Sequence, residues 1–174
     1  MLPEEQQIRD LLEAMNENGI DHLTIGGIAA ILYGLERPTY DIDIAVPEDL
    51  EILEKILDIL KKMGFRTVHR CPFPHDFLME IDYITPQFMK DKGCLEFRNE
   101  EKAFFPVDIL AVDPPLFEEI SNGCIKIPYQ GSNIVCPSLE VLIQMKKDIG
   151  RPKDKDDIEK LQLIQKKLKE KHYD

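Results

Sequence analysis

The segment Asp41-Ile42-Asp43-Ile44-Ala45-Val46 restricts the chain more than any other stretch. Successive side chains of a β-strand point to opposite faces, so Asp41 and Asp43 share one face while Ile42 and Ile44 share the other. A fold that accepts this strand must bury the isoleucine side and leave the aspartate side to water or to a cation. Two carboxylates this close repel each other, and a compensating positive charge is what keeps both ionised. Oxygen ligands of this kind suit Mg²⁺ or Mn²⁺. An isolated Asp-x-Asp also occurs on exposed strand edges and in aspartate-rich turns, so the neighbouring segments decide its meaning.

Fourteen residues before Asp41 sits Gly26-Gly27, between an apolar strand at 22–25 and a short apolar helix at 28–33. Glycines there let backbone N–H groups and a helix N-terminus approach a phosphate, although glycine pairs also mark simple turns. Arg37 places a cation beside the aspartates, either for a ligand or as an ion pair with Glu36 or an aspartate. A third acid, Asp108, lies within the apolar run Phe104–Val112. Buried without a partner it would cost several kcal/mol, so it either faces solvent or serves a charge. Two acids on one strand and one on another form the donor set that a two-metal phosphoryl transfer uses.

Helical spacing of apolar residues predicts helices over 4–18 and 48–63, the latter strongly two-sided and closed by Gly64. Further helices are expected near 115–121, from Ser138 to about 149, and from Asp154 to about 171. Strands are expected at 41–46, 65–70, 77–84, 94–98, 104–112, 124–128 and 133–136. Helices first and last with strands between indicate an α/β or α+β domain around one mixed sheet. A single domain over 1–174 is expected, with a core of about 20–136 and C-terminal helices over about 138–171.

From Ile25-Gly26-Gly27 through Arg37-Pro38-Thr39-Tyr40-Asp41-Ile42-Asp43-Ile44, the chain resembles the polymerase-β-like nucleotidyltransferase superfamily. Within it, the chain looks most like the small branch containing abortive-infection (AbiE-type) toxin nucleotidyltransferases. The later stretch Pro137–Lys146, then Gly150-Arg151-Pro152-Lys153-Asp154 and Asp157, is similar to that branch as well. The likeness covers 21–46, 104–112 and 134–160; the stretch 65–103 matches no known pattern. It implies a nucleotidyltransferase fold and transfer of a nucleoside monophosphate from a nucleoside triphosphate to a hydroxyl. The implied acceptor is a transfer RNA end, a partner protein or a small molecule such as an antibiotic. Asp41, Asp43 and Asp108 match the family's catalytic metal ligands, two Mg²⁺ or Mn²⁺ ions being implied. Gly26 and Gly27 match the phosphate-proximal turn, Lys146 a cation near the triphosphate, and Arg37 a supporting position. Asp154 and Asp157 match that pattern too, yet they also stand where a helix N-terminus favours acids. Arg151 and Lys153 are equally readable as surface charges.

Composition narrows the alternatives. The formal charge of −11 is uneven: residues 146–174 carry ten Lys/Arg against seven Asp/Glu, leaving −14 on residues 1–145. An acidic body opposes extended nucleic-acid contact, which phosphate neutralisation drives, while the lysine-rich tail permits a local one. No apolar run approaches the roughly 20 residues that span a bilayer, and the acidic start lacks the basic region of a signal peptide. A cytoplasmic protein without membrane contact is expected. Four cysteines without a Cys-x-x-Cys pair read as reduced thiols. The run His69–His75 offers zinc-type residues but no fourth ligand at a recognisable spacing. Other users of Asp-x-Asp, such as aspartate-nucleophile phosphatases and glycosyltransferases, do not account for the glycine pair together with Asp108. A non-catalytic, antitoxin-like module of the same fold is the remaining alternative.

Overall fold

The computed structural model of the chain describes residues 3–69, 77–99, 105–129 and 131–171. Its spine is a six-stranded mixed sheet. In chain order the strands are β1 (Leu23–Thr24), β2 (Ile42–Pro47), β3 (Arg66–His69), β4 (Phe77–Met79), β5 (Cys94–Arg98) and β6 (Val107–Val112). They lie side by side as β1-β2-β6-β5-β3-β4. Only β2 and β6 run parallel; every other neighbouring pair is antiparallel.

The alternation of Ile42-Asp43-Ile44 is used as the sequence demands. Ile42, Ile44, Val46, Val107, Ile109 and Phe97 are fully buried on one face of the sheet. They meet α1 (Pro3–Glu17), through Leu11 and Met15, and α3 (Leu50–Lys62), through Leu53, Ile56 and Leu60. Helix α3 starts where Asp49 accepts hydrogen bonds from the N–H groups of Glu51 and Ile52, at 2.9 and 3.0 Å. That capping and an apolar stripe each contribute, the cap about 1 kcal/mol and each buried aliphatic side chain about 1.5–3 kcal/mol.

On the opposite face, Leu23, Ile25 and Ala45 pack with Phe117 and Ile120 of α5 (Pro114–Ser121). Val135 of β8 (Ser132–Cys136) closes this smaller core, and β8 pairs with β7 (Ile125–Tyr129). These two strands form a sheet of their own instead of extending one mixed sheet. Tyr129 pairs with Ser132 across these strands, while Ile134 and Cys136 of β8 are buried. Helices α6 (Leu139–Ile149) and α7 (Asp154–Lys171) end the described chain. No helix among the described residues is long and apolar enough to cross a membrane.

Other details depart from the sequence reading. Helix α2 (Gly26–Leu32) begins at the glycine pair itself, not at Ile28. The strand expected at 77–84 stops at Met79 and gives way to a 3₁₀ turn at Ile81–Tyr83. An unexpected helix, α4 (Pro86–Lys92), follows. Its cue was present: the Thr85 hydroxyl accepts from the Phe88 N–H at 3.1 Å, and Pro86 takes the first helical position. Cys94 and Cys124 are exposed and Cys136 is buried. The zinc-type run His69–His75 lies outside the described residues apart from the backbone of His69.

Candidate active site

Strand β2 carries Asp43 on the face opposite its isoleucines, and β6 places Asp108 directly beside it in parallel register. Asp41 lies one residue before the strand begins. It accepts a hydrogen bond from the Thr39 hydroxyl at 2.8 Å. The loop into β2 is held at both edges: Ile42 N–H donates to Pro106 O at 2.9 Å, and Ile25 N–H donates to Asp43 O at 3.0 Å.

The glycine pair is required by the aspartates. Gly26 has φ +65°, and a Cβ there would stand 1.8 Å from Asp43 Oδ2. A Cβ on Gly27 would stand 2.2 Å from the Thr39 hydroxyl that holds Asp41. The Gly27 N–H meanwhile donates to the Asp43 carboxylate. Both glycines therefore exist to seat acids, a tighter constraint than a generic turn imposes.

Burial and the neighbouring Asp41 together push the Asp43 carboxyl above its ordinary range, against the opposing pull of the Gly27 N–H, Arg151 and Lys153. A half-buried acid with raised proton affinity beside another acid is short of positive charge. Hard oxygen donors at Asp41, Asp43 and Asp108 fit a divalent cation such as Mg²⁺ or Mn²⁺. Among the described residues no three acidic, histidine or cysteine side chains already converge as a ready metal cage. Asp41 is turned to Thr39 and Asp43 to Gly27, as like charges turn when each can find its own donor.

The same row extends one strand further. Glu96 of β5 stands opposite Asp108 in antiparallel register. Its carboxylate meets Arg98 Nε at 2.6 Å. Sequence reasoning passed over this pair; the alternation of Glu96 and Arg98 with Leu95 and Phe97 was the available signal.

Behind the aspartates lies a second charged group. Arg37 grips Asp157 with two hydrogen bonds of 2.8 Å, from Nε and from a terminal nitrogen. Lys146 Nζ donates to Asp157 at 2.8 Å and to Asp154 at 3.4 Å. Arg151 Nε donates to Asp154 at 2.7 Å. Lys146 is 3% exposed, and the side chains of Asp154 and Asp157 are 1% and 4% exposed. Burial pushes both carboxyls up, but the bonds from Arg151 and Lys146, and from Arg37 and Lys146, outweigh it and hold them below the ordinary range. The acids that sequence left between capping and function thus join two helices and the loop before β2.

Gly26, Gly27, Asp41, Asp43 and Asp108 are accordingly brought together, with Arg37 behind them. Lys146 sits on the far side of Arg37's partner, inside the protein.

No protein-family model matches the chain, and no curated protein matches it. Solved structures do. The lincosamide antibiotic adenylyltransferase LnuA, lincomycin-bound, superimposes with a TM-score of 0.61 at 18% identity, covering 91% of this chain and 96% of that one. ANT(2")-Ia in complex with adenylyl-2"-tobramycin gives 0.58 at 16% identity, covering 98% and 99%. An antigenic nucleotidyltransferase-like protein from Paracoccidioides brasiliensis gives 0.55 at 17% identity, covering 92% and 75%. The chain has the nucleotidyltransferase fold: a mixed sheet flanked by helices.

Proposed function

We propose that this chain is a metal-dependent nucleotidyltransferase that moves a nucleoside monophosphate from a nucleoside triphosphate to a hydroxyl acceptor, releasing pyrophosphate. The observation that carries the reading is the in-register pair Asp43–Asp108, with Asp43 seated against a glycine that tolerates no side chain. The fold shared with two adenylyltransferases supports the same class of reaction.

Asp41, Asp43 and Asp108 would hold Mg²⁺ or Mn²⁺, two ions in all, supplying charge neutralisation at the phosphates and a lowered pKa at the acceptor hydroxyl. Asp108 is the acid on the neighbouring strand and takes the proton of the acceptor hydroxyl. The acceptor oxygen bonds to the α-phosphorus as the bond to the β-phosphate oxygen breaks, and pyrophosphate leaves. The turn at Gly26 and Gly27 lines the approach of the phosphates and fixes Asp43 through the Gly27 N–H. Arg37 supports the wall beside Asp41 from its grip on Asp157.

The acceptor we favour is a small molecule bearing a hydroxyl. Two of the similar structures hold an antibiotic or an adenylylated antibiotic, and an acidic body disfavours a long nucleic-acid contact. A transfer RNA end and a partner protein are the competing acceptors. Kinship with the AbiE-type branch rests on the segments 137–146 and 150–157, and a cytoplasmic setting follows from the need for nucleoside triphosphates.

The first test is a thermal-shift screen of ATP, CTP, GTP and UTP, each with Mg²⁺ and with EDTA. A ligand bound only by the native state at a hundredfold excess over Kd adds about 2.7 kcal/mol. Stabilisation that requires metal and a nucleotide, and that disappears in Asp43→Asn, is the expected result. No metal-dependent shift with any nucleotide favours the non-catalytic module of the same fold.

A further inference from the structure

Resting on the reading above, we propose that Arg98 and Arg66 form a phosphate subsite for the acceptor, so that the hydroxyl substrate itself carries a phosphate. Strand register places the pair. On β5, Arg98 follows Glu96 by two residues, and Glu96 stands opposite Asp108, so Arg98 shares the face of Asp108 and Asp43. Arg66 of β3 is the direct cross-strand partner of Arg98 and lies on that face too. The next pair in the same register, Thr67 and Phe97, is buried in the core on the other face.

Continuing the β2–β6 register by one residue sets Asp41 beside Pro106, where the Ile42 N–H donates to Pro106 O at 2.9 Å. The β5–β6 register, continued likewise, sets Pro106 beside Arg98. Asp41, Pro106, Arg98 and Arg66 thus form one line across the sheet, next to the line of Asp43, Asp108 and Glu96. Two strand spacings, about 10 Å, separate the backbones of Asp41 and Arg98. On that line only the short ring of Pro106 stands between them.

Sheet stability does not account for two guanidinium groups set directly opposite each other, because like charges so placed repel. Each is offset at one nitrogen: Arg98 Nε donates to Glu96 at 2.6 Å, and Arg66 Nε lies 3.0 Å from Glu80. A guanidinium carries five N–H donors in a planar fork, so each arginine has terminal nitrogens to offer a second anion. The side chains are 41% and 46% exposed. A tetrahedral phosphate between them accepts from both forks and relieves their repulsion.

The flank on which the pair lies names the substrate. The Gly26-Gly27 turn, which follows β1, lies on the β1 side of Asp43, whereas the arginines lie on the β5 and β3 side, beyond Asp108. In the proposed reaction the triphosphate uses the first flank. The acceptor, whose proton Asp108 takes, uses the second.

Calorimetric titration of the intact protein, held with Mg²⁺ and an NTP analogue whose α,β-bridging oxygen is replaced by methylene, tests this. The probes are ribose 5-phosphate against ribose, and the dinucleotide cytidylyl-adenosine against adenosine. Each pair offers hydroxyls with and without a phosphate. The phosphate-bearing member should bind more tightly, and Arg98→Gln should weaken it about tenfold, the size of a lost charge-assisted hydrogen bond. The neutral member should be unaffected; a purely structural role for the arginines would move both members alike. Arg66→Gln, which leaves the Arg98–Glu96 bond intact, should reproduce the loss. A phosphate preference with ribose 5-phosphate assigns the subsite to a small phosphorylated molecule, and one with the dinucleotide alone assigns it to a nucleic-acid end; either upholds it. No preference for phosphate in the wild-type protein, or a preference that survives both substitutions, overturns the inference alone. If no nucleotide gives metal-dependent stabilisation of the wild-type protein, the nucleotidyltransferase reading falls and this inference with it.

Discussion

Two charged clusters stand side by side in this molecule and solve the same problem differently. Around Lys146, five charges are nearly balanced, the lysine and both acids are buried, and each acid is bonded by two cations of the chain. Around Asp43, acids face acids, and only a backbone N–H and distant cations ease the repulsion. The direction in which burial and neighbours shift each carboxyl carries the contrast. Asp154 and Asp157 are held below the ordinary aspartate value of 3.8, and Asp43 is held above it. A cluster that completes its own electrostatics works as scaffold, while the one left short of positive charge is where the proposed metal ions would bind.

The largest test of that contrast is Lys146→Met. It removes the cation that buried Asp154 and Asp157 share, leaving Arg151 to the one and Arg37 to the other, and should cost about 3–5 kcal/mol in urea unfolding at neutral pH. A loss below about 1 kcal/mol would mean the network is effectively solvated. Next in size is Gly26→Ala. A left-handed non-glycine residue costs roughly 1–3 kcal/mol, and the new Cβ displaces Asp43 as well. Stability should fall by that amount, and the metal-dependent nucleotide shift should vanish; its survival would detach the glycine from the site. Arg37→Lys keeps the charge but loses the two-pronged grip on Asp157, and about 1 kcal/mol should be lost in the same assay.

The smallest effect has the opposite sign. Asp43→Asn removes half of a like-charge pair and should stabilise the metal-free protein by roughly 0.5 kcal/mol at pH 7. Because the folded-state value of Asp43 is raised, its ionisation penalises the folded state at neutral pH. Acidification through that raised value protonates it, so the advantage of Asp43→Asn should shrink as pH falls. Asp154 and Asp157 behave in reverse: their contribution is present above the ordinary value of 3.8 and is lost as pH falls through their lowered values. Thermal melts of both proteins across pH 3 to 7 separate the two clusters.

The first cluster was far more legible in the sequence than the second. Asp41, Asp43 and Gly26-Gly27 lie within 18 residues, and local rules of strand alternation and glycine geometry suffice to bring them together. Asp108 needed only the expectation of a second apolar strand. The amphipathic pattern likewise announced α1 and α3, and Ser138 announced α6. The second cluster depends on helix packing. Asp157 meets Arg37 across 120 positions and Lys146 across 11. No periodicity relates those residues, so Asp157 read equally well as a helix-terminal acid. Helix α4 was missed for another reason: its apolar content is slight, and its capping threonine and proline carried the signal. The separate β7–β8 sheet was missed because strand pairing is decided by which backbone edges meet, and alternation says nothing of that.

The staple between Arg37 and Asp157 also has a consequence for the order in which the protein is made. Synthesis runs from the N-terminus, so every strand of the sheet and all of α6 emerge before Asp154 and Asp157 do. Until then Lys146 has no acids to enter the interior with, and Arg37 lacks its two-pronged partner Asp157. A growing chain can assemble its sheet early and still lack the Arg37–Asp157 staple. The grip of Arg37 on Asp157 therefore forms only once α7 has been made.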